Sequence, residues 1–274
     1  MNQIQQTPHT SRSQSHTPRR NSPRDSQQPD ASVLSRTPIA IDRPLDTRPV
    51  HDLIEQGDLD GLKTAIASGA SLLAYNKAGE TALHLAIRLG HATMSETIAT
   101  TEPKTLHQTG FFLKLPLHLA AHYDHKDITR RLLALAPDTI AHTDKIGRTI
   151  LHTAAQTGDY DSVRVILDTH PELASKPDIY GNYPILLGRN HPAIVLMIAE
   201  KAPKTLDKTD KRGRTPLWWA AENGYLDIVR YLGEKVPKTL AKADNDGETP
   251  LWMAAGNGHL DVVRYLGEKV PETL

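Results

Sequence analysis

The strongest constraint on this chain is an internal period of about 34 residues. Aligning on a four-residue box gives Arg48-Pro49-Val50-His51, Thr81-Ala82-Leu83-His84, Leu115-Pro116-Leu117-His118 and Thr149-Ile150-Leu151-His152. Tyr183-Pro184-Ile185-Leu186, Thr215-Pro216-Leu217-Trp218 and Thr249-Pro250-Leu251-Trp252 follow. The box starts at 48, 81, 115, 149, 183, 215 and 249 are separated by 33, 34, 34, 34, 32 and 34 residues, so seven units account for residues 48–274. A period of this length marks a repeat architecture, in which each unit touches only its neighbours.

The local signals inside a unit run in a fixed order. A polar turn such as Asp210-Lys211-Arg212-Gly213-Arg214 leads into Thr215-Pro216, where the hydroxyl caps a helix start and proline occupies the first turn. Ala220 and Ala221 are small enough for close helix packing. Gly224 breaks the chain into a second helix with the apolar stripe Leu226, Ile228, Val229 and Leu232, and Pro237 stops it. A two-helix unit with one apolar stripe cannot bury itself, so units must stack on both sides into a solenoid.

The box Thr-Pro-Leu-His, followed by x-Ala-Ala, a helix-breaking Gly and a Val-Val-x-x-Leu helix, resembles the ankyrin repeat. The resemblance implies an all-α ankyrin-repeat solenoid of about seven helix-turn-helix repeats with hairpin loops. It also implies diverse protein partners and no shared reaction. Repeats two to seven depart from the pattern by ending in a Pro-centred segment, such as Pro203-Lys204-Thr205-Leu206, whose Leu or Ile is expected to pack under the next hairpin. Repeat five has lost two residues around Gly188-Arg189-Asn190-His191-Pro192, which predicts a short first helix and a bent or loosened joint. Repeats six and seven agree at 22 of 28 positions between Gly213–Leu240 and Gly247–Leu274. Their similarity leaves Trp252, Val262, Val263 and Leu266 without the polar replacements of a terminal cap, so a continuing array, a partner or self-association through this last repeat is expected to cover them.

Residues 1–47 differ from everything after them, being rich in Ser, Arg, Gln and Pro and holding neither Lys nor Glu. They carry too few large aliphatic residues to offset the roughly 1–2 kcal/mol per residue of backbone ordering, and read as a disordered tail before the array of 48–274. Lys plus Arg and Asp plus Glu both total 32, so the net charge is zero. Nucleic-acid and anionic-membrane binders carry basic excess, so neither is expected as a partner, a local basic patch aside. Cysteine is absent, which excludes disulfide scaffolds, thiolate metal sites and cysteine nucleophiles. No run approaches the roughly 18 apolar residues of a membrane span, and no apolar signal segment opens the chain, so neither membrane insertion nor Sec-type export is expected.

His51, His84, His118 and His152 recur at one box position, with Trp218 and Trp252 taking over the column. Stacked helices lie about 10 Å apart, whereas ligands of one zinc lie roughly 2 Å from the metal, so these histidines cannot share an ion. The resemblance implies that they hydrogen-bond backbone in the hairpin loops. The chain has no phosphate-cradling glycine loop, His-Glu-x-x-His helix or Gly-x-Ser-x-Gly elbow. Glu55, Glu222 and Asp227 read as solvent-facing repeat positions. No catalytic residue, cofactor or metal is assigned, and the chain is read as a non-enzyme.

The resemblance implies binding through the hairpin tips and the exposed side of each first helix, on the concave face. From repeat two the tips read Lys77-Ala78, Phe111-Phe112, Lys145-Ile146, Ile179-Tyr180, Lys211-Arg212 and Asn245-Asp246. Three neighbouring tips carry apolar groups, and both phenylalanines of the protein share one of them. Aromatic anchors dominate interfaces, so the expected partner-binding residues are Phe111, Phe112, Ile146, Ile179 and Tyr180. The repeat register adds Lys114, His122, Tyr123, Arg148, Gln156 and Thr157. Repeat three has Gly110 where Asp is usual and Leu113 in place of the tip glycine, which leaves two readings open: an exposed aromatic tip, or one folded inward. Trp219 is expected to pack against repeat seven.

The function read from these features is a non-enzymatic module that captures a protein partner. The tail also resembles the secretion segments of bacterial type III effectors. That resemblance implies a host protein as partner, and either a cytoplasmic location or delivery into a host cell by a non-Sec route. The alternative is a targeting array for a larger enzyme whose catalytic part lies past residue 274.

Overall fold

The structure, a computed structural model, describes residues 48–270, with side chains from 50 onward. The tail of 1–47 and the segment Pro271-Glu272-Thr273-Leu274 lie outside the described residues, as do the readings made of them. Among the described residues no strand forms beyond an isolated bridge between Tyr75 and Thr81. The helices pair in sequence: α1 (Arg48–Glu55) with α2 (Leu59–Ala67), α3 (Ala82–Arg88) with α4 (Ala92–Thr101), α5 (Pro116–His122) with α6 (Lys126–Leu135) and α7 (Ile150–Thr157) with α8 (Tyr160–Thr169). The remaining pairs are α9 (Pro184–Leu187) with α10 (Pro192–Lys201), α11 (Pro216–Glu222) with α12 (Leu226–Lys235) and α13 (Pro250–Gly256) with α14 (Leu260–Lys269).

The box residues start the first helices as their chemistry requires. The hydroxyls of Thr81, Thr215 and Thr249 accept from the backbone N–H of His84, Trp218 and Trp252, and Pro116, Pro184, Pro216 and Pro250 open their helices. Second helices bury one stripe, for example Ile128 and Leu132 in α6 or Ile228 and Leu232 in α12. All of these join one continuous core running along the stack. Full burial of such a side chain contributes about 1.5–3 kcal/mol, more than a lone hairpin can collect. At most joints consecutive first helices make more extensive contact than consecutive second helices.

The Pro-centred segments form single 3-10 turns. Thr105, Thr139, Thr205 and Thr239 are buried there, each donating its hydroxyl to the carbonyl three residues back at 2.7–2.8 Å. The neighbouring Leu106, Ile140, Leu206 and Leu240 are buried as expected.

A second histidine column, unread in the sequence, closes the joints between units. His91, His125, His191 and His259 each stand just before a second helix and lie over the interhelix position of the preceding repeat. His191 and His259 also bond the carbonyls of Gln156 and Glu222, at 3.2 and 2.9 Å. A side chain on Gly158 or Gly224 would run into these rings, and both residues have positive φ. Repeat three instead carries Asp124 at φ +57°. Asp124→Gly should therefore raise stability by roughly 0.5–1 kcal/mol, read as a higher urea midpoint. An unchanged or lower midpoint would mean that the weak Asp124–Lys126 pair, at 3.7 Å, outweighs the backbone strain.

Repeat five has the short first helix expected of it, since α9 is a single turn followed by a 3-10 turn at Gly188–Asn190. Contact between α9 and α11 is correspondingly thin. Arg189 bridges part of this joint by lying over the Trp219 ring. At the far end the expectation of four uncovered apolar residues is corrected. Val262 and Leu266 are buried within the last hairpin and Val263 is half-buried, while Trp252 is 66% exposed. The stripe of α14 turns inward against its own repeat, so only the box tryptophan and the start of α14 need a neighbour for burial.

Candidate interaction surface

The tips are built on one side chain and one backbone signature. Asp144, Asp178, Asp210 and Asp244 each accept two N–H groups of their own turn through Oδ1, and Asn76 does the same in repeat two. A glycine with positive φ closes each of these turns. Repeat three has neither group. Its tip is held by Gly110 N–H to the Lys114 carbonyl at 2.9 Å, and two non-glycine residues, Phe112 (φ +59°) and Leu113 (φ +57°), take left-handed conformations in succession. Such conformations cost of order 1–3 kcal/mol each and persist only where the surrounding structure holds them.

The two open readings of that tip divide between its residues. Phe111 is 66% exposed and Leu113 is also exposed, whereas Phe112 is half-buried. Phe112 also braces the tip: its carbonyl accepts the Lys145 N–H at 2.8 Å and its ring packs edge-on against Phe111. Ile146 is half-buried too, passing its carbonyl to the N–H of Ile179, and Ile179 is 61% exposed. Tyr180 is half-buried with the Lys211 ammonium 4.6 Å from its ring centre. The anchors that project are therefore Phe111, Leu113 and Ile179.

The register positions fall on the same side. Arg148 donates to the buried Asp178 carboxylate at 3.2 Å and to Gln156 Oε1 at 3.1 Å, which joins repeats four and five. Lys114 is half-buried, and burial followed by the nearby Arg148 lowers its pKa. His122 is also lowered, first by lost hydration and then by Lys114 and Arg148. Tyr123 is exposed, its ring against His122 and His125. Thr157 is half-buried and donates its hydroxyl back to the Thr153 carbonyl, leaving the oxygen's acceptor lone pairs.

The box histidines are structural. His51, His84 and His152 reach the carbonyls of Glu80, Lys114 and Asn182 in the next repeat, at 3.1–3.2 Å, and the Trp218 indole does the same to Glu248 at 2.9 Å. His118 differs because Leu115 replaces the usual Thr beside it; neither ring nitrogen finds a hydrogen-bond partner. Burial pushes its pKa down to about 3 and that of His152 to about 4. Among the described residues no group of three or more His, Asp or Glu could hold a metal, and no helix is long and apolar enough to cross a membrane.

One cluster lay outside the sequence reading. Trp219 is buried, and residues of repeat five, Ile185, Arg189 and Val195, lie beside it. The guanidinium groups of Arg189 and Arg214 lie 4.3 and 4.1 Å from its ring centre. Its indole Nε1 is buried without an acceptor. The two-residue deletion in repeat five was the available signal, because it moves Arg189 to a position that alanine holds in other units.

Comparison with known proteins agrees with this architecture. The family model for ankyrin repeats in three copies matches residues 101–177 and 186–272. Among solved structures, the ankyrin repeat domain of Bcl-3, described as a unique member of the IkappaB protein family, superposes with a TM-score of 0.63 at 22% identity. That match covers 81% of this chain and all of the other. A search of curated proteins found no match. Ankyrin repeats are protein–protein interaction modules, and with its box caps, stacked hairpins and matching repeats this chain belongs to the ankyrin-repeat family.

Proposed function

We propose that the chain is a non-enzymatic binding module that captures a partner protein on the tips and first helices of repeats three to five. The observation that carries this reading is the row of exposed apolar tips, Phe111 and Leu113 on a strained turn and Ile179 two repeats on, linked by backbone hydrogen bonds from tip to tip. Large apolar groups at such positions gain little for folding and supply interface anchors.

The test compares affinity capture by the wild-type chain and by Phe111→Ala with Ile179→Ala. The double variant should lose its partner by roughly tenfold or more while melting within a few degrees of wild type, because neither side chain is buried. Equal capture by both proteins would refute the tip surface, and a large fall in melting temperature would reassign the pair to the core.

A further inference from the structure

Three kinds of hydrogen bond recur across the joints of the stack. One runs from tip to tip: the N–H groups of Lys145, Ile179 and Asn245 donate to the carbonyls of Phe112, Ile146 and Arg212 at 2.8–3.0 Å. Another runs from the box ring to the carbonyl just before the next box, in His51, His84, His152 and Trp218. In the third, His191 and His259 reach back to the carbonyls of the preceding repeat. Every other joint among the described residues keeps at least one of these ties, and the joint between repeats five and six has none of the three. Its box position is Leu186, which carries no donor, and Tyr225 stands where a histidine precedes other second helices. No tip N–H of repeat six donates to a tip carbonyl of repeat five.

Packing is weakest at the same place. Because α9 is a single turn, the first helices touch least here. A cavity of about 10 Å³ lies between Ile185 and Val195 of repeat five and Trp219, Tyr225 and Ile228 of repeat six, and Trp219 Nε1 is buried without an acceptor. Across the joint Arg189 lies over the Trp219 ring and Lys211 over the Tyr180 ring, 4.3 and 4.6 Å from the ring centres. A ring attracts a cation over a range of positions, so these contacts survive small shifts that would break a hydrogen bond. We propose that the joint between repeats five and six is a hinge, at which repeats six and seven swing as one block against the repeats before them. All three ties hold repeat seven to repeat six, which is why those two move together. Each hairpin keeps its own buried stripe, so the movement changes the spacing of the Ile179–Tyr180 and Lys211–Arg212 tips without unfolding either repeat.

The experiment measures distance distributions in the full chain by double electron–electron resonance between paired spin labels. The chain has no cysteine, so labels attach only where cysteines are introduced. Ala134, Asp168, Glu200, Glu234 and Glu268 are exposed and hold matching places on successive second helices. Pairs two repeats apart stand about 20 Å from one another by stacked-helix spacing. Ala134→Cys with Glu200→Cys spans the joints on either side of repeat four. Asp168→Cys with Glu234→Cys and Glu200→Cys with Glu268→Cys each span the joint of repeats five and six. The last two distributions should be at least about twice as wide as the first, with melting temperatures within a few degrees of wild type because every site is exposed. Equal widths in all three pairs would overturn the hinge. Broadening confined to the Glu200 and Glu268 pair would overturn it as well, by placing the motion between repeats six and seven.

Discussion

Replacing Trp218 with Ala should destabilise the C-terminal half of the array by about 3–5 kcal/mol, whereas Trp252→Ala, at the same place in the next repeat, should cost under about 1 kcal/mol. The two tryptophans share their box, Thr-Pro-Leu-Trp, and their cap. Trp218 is 2% exposed and its indole donates to the Glu248 carbonyl across the joint with repeat seven. Truncation therefore leaves a cavity and removes the indole's hydrogen bond across the joint, although the Glu248 carbonyl keeps the Asp244 N–H at 3.0 Å. Trp252 is 66% exposed, so its truncation opens no buried cavity. Because a repeat array opens locally rather than all at once, the effect is best read by hydrogen exchange. Trp218→Ala should release protection in α13 and α14 first. Equal losses for the two variants would show that the column acts within its own hairpin and not between repeats.

Acid should destabilise the array well before its carboxylates are protonated. His118 and His152 are held neutral by burial, with pKa values near 3 and 4, whereas the unfolded chain binds those protons from about pH 6.5 downward. Their folded pKa values lie below the unfolded ones, so stability is full above about pH 6.5 and falls with pH until each folded pKa is reached. At about 1.4 kcal/mol per unit, each histidine costs roughly 2 kcal/mol at about pH 5. Urea unfolding at pH 7 and pH 5 measures the slope. His118→Leu should remove about half of it. A slope unchanged in His118→Leu would place the acid sensitivity elsewhere. Raised Glu222 acts in the opposite direction, and its burial is the reason.

The repeat fold was legible in the sequence because each of its signals acts inside one unit. The Thr and Pro of the box, the paired alanines and the single stripe of each second helix dictate local helices, and the 34-residue period dictates their stacking. The histidine column was readable for the same reason. The candidate surface was legible only in part. Phe111 and Phe112 are one dipeptide, and which of them projects depends on Lys145 of the next repeat taking the Phe112 carbonyl. Arg189 reads as a fault in a helix until the deletion in repeat five brings it over Trp219, thirty residues on. Sequence alone determined what each unit is. Tertiary structure alone decided which of two identical boxes is buried and which phenylalanine points outward, because those outcomes depend on the neighbouring repeat rather than on the residues of the unit itself.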